Sequence, residues 1–271
     1  MLKRLCAAAA ACLAMASAAS VANAAPRNDC QTQALRDLER LSPKGYAVYA
    51  AMPNKADFVR WITCDDVQLS LTTAVHESVH LLTHEKDGYP LIEGGVLRRP
   101  KELVRYYAPR GIAGRFEAGD MFVKTYLGRG AASSADDFTY LLDELNAYSH
   151  DLNSAVKLAP LHKGGGHAAH RDGLSALMAF VMRYVGVAQA QHPATWQGLQ
   201  QPETKQVVQK LWTQAETVLA SSCAFPTYGT KDKTYVGFLC NAGNAAPLAS
   251  LLGRTPQCAK QCLPAGTAAV Q

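Results

Sequence analysis

The segment His76-Glu77-Ser78-Val79-His80 carries two histidines four residues apart, with a glutamate directly after the first. Apolar residues around it recur at helical spacing, which predicts that it lies within a helix. Four residues turn an α-helix by about 400°, so both imidazoles emerge on one face, roughly 6 Å apart along the axis. This spacing suits two ligands of a zinc ion, with Glu77 placed beside them to take a proton from an activated water. The segment therefore predicts a hydrolytic zinc centre.

A helix that carries two histidines for packing alone is the competing interpretation. A single histidine on an apolar face is more often a core residue than a metal ligand. Here, however, Glu77 would lie between two imidazoles among apolar neighbours, which is costly without a compensating cation. We therefore favour zinc at His76 and His80.

A catalytic zinc usually has three protein ligands, so a third must come from elsewhere. His84 lies on the same face, but it is about 12 Å from His76 along the helix axis and cannot reach the same ion. The extended metzincin pattern, with a further glycine and a third histidine, is absent because Thr83 and Lys86 occupy those positions.

A second long helical segment, with Glu144 at its centre, follows downstream. This arrangement resembles the gluzincin class of zinc metallopeptidases, in which a glutamate on a neighbouring helix supplies the third ligand. The resemblance extends over about residues 66–155. It implies His76, His80 and Glu144 as zinc ligands and Glu77 as the general base.

Helix geometry also favours Glu144 over the adjacent Asp143. Glu144 shares one face with Tyr140, Tyr148 and Asp151, whereas Asp143 points about 100° away. The alternative is an ordinary solvated acidic face.

The chain departs from the best-known gluzincin pattern because Tyr148, and not an aspartate, stands four residues after Glu144. The acceptor for the second imidazole proton of His76 is therefore open between Asp151 and a backbone carbonyl. Tyr148 is our preferred donor to the developing oxyanion, and an aromatic ring packed between helices is the alternative.

A histidine-rich segment around Gly164–Gly166 offers further candidates. His167 or His170 could supply the oxyanion donor instead of Tyr148, and together with His162 they could form a separate metal site. An ordinary solvated loop between two helices explains the same residues.

The positioning elements are mostly helical. We expect an α+β, mainly helical fold with a zincin-like core, a small antiparallel sheet and a disulfide-bonded C-terminal tail. Predicted helices cover 31–41, 66–85, 135–159 with Ser133 or Ser134 as cap, 173–191 and 203–221. Segments 46–52 and 58–63 are predicted as two strands or as a strand plus a turn, and 91–97 as a bent strand.

The N-terminus has the pattern of a cleaved export signal. A basic start, an uncharged alanine-rich stretch and Ala22-Asn23-Ala24 predict a signal peptide over residues 1–24. We expect a metallopeptidase domain over 25–222 and a cysteine-rich extension over 223–271.

The predicted export signal also determines how many cysteines the mature protein has and whether they form disulfides. Six of the eight remain after Cys6 and Cys12 are removed, which predicts three disulfides in an oxidising compartment, periplasmic or extracellular. The simplest pairing by proximity joins Cys30 with Cys64, Cys223 with Cys240, and Cys258 with Cys262.

Composition excludes several classes of protein. The formal charge is only +5, without a block of basic residues, which argues against nucleic acid as a partner, and no segment beyond the signal predicts a membrane span. We expect a peptide or protein substrate, cleaved internally. A non-catalytic secreted zinc-binding module and an amidase of cell-wall peptides remain open, as does the oligomeric state.

Overall fold

The computed structural model describes residues 27–101, 105–130, 133–163 and 169–263. The predicted signal peptide and His167 lie outside these ranges. Within them the fold is mainly helical with one two-stranded antiparallel sheet, as predicted. Its α-helices are α1 (Arg27–Leu41), α2 (Pro43–Ala51), α3 (Lys55–Val59), α4 (Val67–Lys86), α5 (Met121–Leu127), α6 (Phe138–Lys157), α7 (His170–Gln191), α8 (Pro193–Leu199), α9 (Pro202–Ser222), α10 (Asp232–Cys240) and α11 (Ala242–Leu252).

Helices α4 and α6 pack against each other in antiparallel orientation. Gln68 near the start of α4 donates to the carbonyl of Ala155 near the end of α6, whereas His80 meets Asp143 in the first half of α6. One hydrophobic cluster contains the apolar residues of α1 to α4, and a larger one surrounds α7; α6 contributes to both. The α4–α6 interface is thus held in place from two sides.

The predicted helix over 66–85 is confirmed as α4. Asp66 caps it by accepting a hydrogen bond from the Leu69 amide at 2.9 Å. The helix ends at Lys86, and the capping residue Asp87 adopts a left-handed conformation with φ of 44°. Both histidines of the motif therefore lie well inside regular helix.

Helix α6 begins later than predicted. Asp137 is its cap and accepts from the Thr139 amide at 2.7 Å, so the expected cap at Ser133 or Ser134 is wrong. Those serines belong to a short 3-10 turn before the helix. Asp137 offers a stronger charge-assisted cap, and its carboxylate also suits the positive end of the helix.

The strands predicted over 46–52 and 58–63 are wrong: residues 46–51 belong to α2, and residues 58 and 59 end α3. Residues 60–63 form a turn and irregular structure. Ser42 and Asn54 cap the two helices, and Pro43 occupies the first turn of α2. Val48 and Phe58 bury their side chains in the same cluster as α4. Tertiary packing and capping outweigh the strand preference of the aromatic and β-branched residues.

The bent strand predicted over 91–97 is the turn and second strand of a hairpin. Strand β1 (Gly88–Pro90) pairs with β2 (Val96–Arg98), and Gly94 and Gly95 have the positive φ angles that the turn requires. The carbonyl of Pro90 accepts from Asn146 and lies 2.9 Å from Nε2 of His150, both on α6. These contacts fix the hairpin against α6.

The cysteine-rich tail contains helices α10 and α11, which the sequence pattern did not reveal. Three disulfides form, and the Cys30–Cys64 pairing is confirmed. The other two predicted pairings are wrong: Cys223 joins Cys262 and Cys240 joins Cys258. Because α10 and α11 fold back on each other, cysteines that are distant in sequence meet, and neighbours in sequence do not.

Helix α7 is long and apolar enough to cross a membrane by length and composition. However, 72% of its most apolar stretch is buried inside the protein. Helices α6, α9, α10 and α11 all pack against it. Its apolar character is accounted for by its place at the centre of the larger core.

Candidate metal centre

Three potential ligand atoms converge at the α4–α6 interface. Nε2 of His76 and Nε2 of His80 lie 3.2 Å apart. Oε2 of Glu144 lies 3.7 Å from the first nitrogen and 3.4 Å from the second. These three residues are the group, among those the structure describes, that could hold a metal ion.

The spacing of these atoms fits a tetrahedral ion. Ligand atoms about 2.1 Å from such an ion lie about 3.4 Å from one another. Glu144 Oε2 is also buried and makes no hydrogen bond of normal geometry, although two imidazole nitrogens are near. A buried carboxylate oxygen without a donor is unfavourable unless a cation satisfies it. The donor set of two imidazoles and one carboxylate therefore fits a metal.

The charges in this cluster are strongly coupled. Burial lowers the pKa of His80, but Asp143 and Glu144 outweigh burial and raise the pKa to about 10. Burial raises the pKa of Glu144, but the two imidazoles outweigh it and lower the pKa to about 2. Without a metal, a proton on His80 thus supplies the positive charge that this carboxylate-rich site requires.

The Nδ1 atom of each imidazole, on the side away from the proposed ion, faces an aspartate carboxylate. The two distances differ. Oδ2 of Asp143 lies 2.7 Å from Nδ1 of His80, the distance of a strong hydrogen bond. Oδ2 of Asp151 lies 4.0 Å from Nδ1 of His76, which is too far for one. The other oxygen of Asp151 lies 2.6 Å from Nδ1 of His170. Asp143 fixes its imidazole directly, whereas Asp151 is shared between two rings.

Glu77 lies beside the cluster and is partly exposed. Its carboxylate makes no hydrogen bond or ion pair with any residue that the structure describes. It is near enough to Tyr126 to contribute, after burial and Glu144, to raising the pKa of that phenol. A carboxylate that is neither paired nor fully buried beside the ligands is placed to exchange protons with a small molecule there.

Tyr148 packs its ring edge-on against His76, with ring centroids 4.6 Å apart. Its hydroxyl lies 2.7 Å from that of Tyr126 on α5. Burial raises the pKa of both phenols, so both keep their protons at neutral pH. Two phenols share one hydrogen bond between them, which leaves one O–H of the pair to donate elsewhere.

Four of the residues that were predicted for the site lie together: His76, His80 and Glu144 form the group, and Tyr148 packs against His76. Glu77 follows His76 on the same helix. The roles of Glu77 and Tyr148 stay predictions. Two further residues were missed. Asp143 was set aside because it points away from Glu144, and the same angle lets it reach the far side of His80. Tyr126 comes from a short helix whose sequence gives no sign of this contact.

Two histidines of the histidine-rich segment, His162 and His170, lie within the described residues, and His167 does not. Nδ1 of His162 lies 3.0 Å from Oε1 of Gln68. His170 is buried against Asp151. Within the described ranges neither belongs to a cluster of three potential metal ligands.

Comparison with known proteins adds no family to this geometry: the chain matches no family, no curated protein and no solved structure. Any function must therefore be argued from the site itself.

Proposed function

We propose that the protein is an exported zinc-dependent peptidase with a zincin-like core, in which His76, His80 and Glu144 hold the ion and Glu77 is the general base. The observation that carries this proposal is the triangle of the two Nε2 atoms and Oε2, with edges of 3.2, 3.4 and 3.7 Å. Three protein ligands at this spacing leave a fourth position for substrate or water, which is the arrangement of catalytic zinc sites.

When bound, zinc would polarise the substrate carbonyl and lower the pKa of a water molecule to about 7. Glu77 would accept the proton of that water and pass it to the leaving amine, because its carboxylate has no competing partner among the described residues. The remaining O–H of the Tyr126–Tyr148 pair would donate to the oxyanion, with Tyr148 in contact with His76.

Export is part of the proposal. The three disulfides indicate an oxidising environment. Together with the predicted signal peptide over residues 1–24, they support a periplasmic or extracellular location.

The proposal is tested on the purified protein and two variants of α4. Glu77→Gln removes the base and keeps the size of the side chain. Glu85→Gln makes the same change at an exposed position of the same helix. Metal content is measured by mass spectrometry, and cleavage is measured on a broad peptide library.

We expect zinc in all three proteins. The wild type and Glu85→Gln cleave peptides, and Glu77→Gln is slower by about 10²- to 10⁴-fold, the usual contribution of a general base. Zinc without cleavage in any of them would contradict the peptidase and favour a metal-binding module. Cleavage of cell-wall peptides alone would favour the amidase. Wild-type protein that contains no metal would contradict the proposed metal centre.

A further inference from the structure

A pocket of about 210 Å³ opens between α7, α10, α11 and the 3-10 segment Pro109–Arg115. Its lining contains two arginines, Arg115 and Arg183, and no acidic residue. Neither guanidinium forms an ion pair with an acidic residue that the structure describes. None of the proposed metal ligands lines this pocket.

Arg183 is held in a fixed orientation in the wall of the pocket. Its guanidinium lies 4.7 Å from the centre of the Phe238 ring, and Nη2 donates to Oδ1 of Asn244 at 3.3 Å. Nε is buried and has no hydrogen-bond partner. The guanidinium makes no other hydrogen bond with a residue that the structure describes, so its remaining Nη hydrogens are left for an anion.

The second arginine increases the positive charge at the same place. Partial burial lowers the pKa of Arg183, and the nearby charge of Arg115 lowers it further. Gly243 and Asn244, in the first turn of α11, also line the pocket. The amino end of a helix carries a partial positive charge, so all these groups favour an anion.

Gly186 in α7 also lines the pocket. Its φ is not in the left-handed region, and an added Cβ would meet only Cγ of Pro247 at an ordinary 3.7 Å. A glycine in a helix interior is destabilising relative to alanine, and neither the backbone nor the packing requires one here. What the glycine provides is open space in the wall of the pocket.

We propose that this pocket binds a small organic anion, a carboxylate with an apolar substituent. The planar guanidinium of Arg183 matches a carboxylate through two parallel hydrogen bonds. The wall also contains the apolar residues Met182, Val187 and Pro247, which suit a short hydrocarbon group. The site is independent of the proposed metal centre.

The probes are hexanoate, its neutral analogue hexanamide and inorganic phosphate, titrated into the purified protein by calorimetry and by NMR. Arg183→Gln removes the charge, and Gly186→Leu fills the pocket without changing the charge. Arg36→Gln removes one exposed positive charge on α1 and is the matched control. Circular dichroism and thermal melting establish that each variant is folded.

We expect hexanoate to bind at least tenfold more tightly than hexanamide to the wild type and Arg36→Gln. Both pocket variants should lose this preference while remaining folded. Phosphate binding as tightly as hexanoate would overturn the assignment to an organic acid. Hexanoate binding that persists in both pocket variants would place the anion elsewhere, for example on a metal, and no binding to the wild type would overturn the site. If Gly186→Leu alone fails to fold, Arg183→Gln decides between these outcomes.

Discussion

Asp143 and His80 form the closest contact of a carboxylate with a ligand imidazole in the candidate centre, with Oδ2 2.7 Å from Nδ1. The next residue, Glu144, approaches the opposite nitrogen of the same ring at 3.4 Å. Two consecutive residues of α6 therefore hold one imidazole from both sides. The contact sets which nitrogen carries the proton and leaves Nε2 to face the proposed ion.

Replacing this carboxylate should weaken metal binding without abolishing it. Asp143→Asn keeps the shape of the side chain but removes the charge that orients His80 and makes it a better donor. We expect a loss of about 10- to 100-fold in metal affinity, the usual effect of removing such a partner. Competition with a coloured chelator measures it. Asp136→Asn, an exposed aspartate before the same helix, should leave the affinity unchanged.

Metal binding should release a proton from His80. In the metal-free protein the pKa of His80 is raised to about 10, whereas that of Glu144 is lowered to about 2. At pH 8 His80 is therefore protonated and must lose its proton to bind a metal, while Glu144 is already ionised. The affinity should rise with pH until about pH 10.

Calorimetry in two buffers of different ionisation enthalpy counts the released protons. Asp143→Asn should release fewer at pH 8, because loss of the neighbouring carboxylate lowers the pKa of His80. If the wild type and Asp143→Asn release equal numbers of protons, the conclusion that His80 is protonated in the metal-free protein is contradicted.

His76 and His80 of the candidate group could be predicted to share one face, because four residues make about one helical turn. Glu144 was chosen from the resemblance to gluzincins and from its face on a second helix, and its approach to the two imidazoles depends on how α4 and α6 pack. The contact of Asp143 with His80 could not be predicted, because it depends on the distance and crossing of α4 and α6. The same holds for Tyr126, which reaches Tyr148 from a seven-residue helix.

The N-terminal region and the tail show a second limit of prediction from the sequence. Residues 46–52 have the composition of a strand, yet Ser42 and Pro43 begin a helix there, and Val48 is buried against α4. Local propensity was outweighed by capping and packing. Pairing by sequence proximity succeeded for Cys30 and Cys64, which join segments of the N-terminal cluster, and failed where two unpredicted helices intervene.

Gly173 should be essential for the position of Tyr148. A Cβ at this position of α7 would overlap the Tyr148 ring, which already packs against His76. The Tyr148 ring would therefore have to shift, and His76 packs against it. We expect Gly173→Ala to lower the free energy of unfolding by about 1–3 kcal/mol, as overpacking does, and to weaken metal binding. Urea unfolding and chelator competition measure the two effects.

Gly237→Ala in α10 is the matched control, because nothing lies within 4 Å of its added Cβ. It should be neutral or stabilising by up to about 1 kcal/mol, since alanine favours a helix. Equal behaviour of the two variants would show that α7 does not press on Tyr148.

His150 should make the metal-free protein less stable in mild acid. Burial lowers the pKa of His150 from 6.5 to about 4, although its contact with the Pro90 carbonyl acts in the opposite direction. Between these two pH values the unfolded chain binds a proton that the folded protein does not. Stability from this residue is therefore complete above about pH 6.5 and falls as the pH is lowered to 4. The difference between the two pKa values corresponds to a loss of about 3 kcal/mol in the free energy of unfolding.

His150→Gln keeps an amide donor for Pro90 but does not titrate. The free energy of unfolding of both proteins is measured with urea between pH 7 and pH 4, in the presence of a chelator so that metal loss does not contribute. It should decrease less with falling pH in the variant than in the wild type. His84→Gln removes an exposed histidine of α4 and should keep the steeper fall of the wild type. If the free energy of unfolding of the wild type and of His150→Gln decreases equally with falling pH, His150 is not held neutral. The contact of α6 with the hairpin must then differ from the one described.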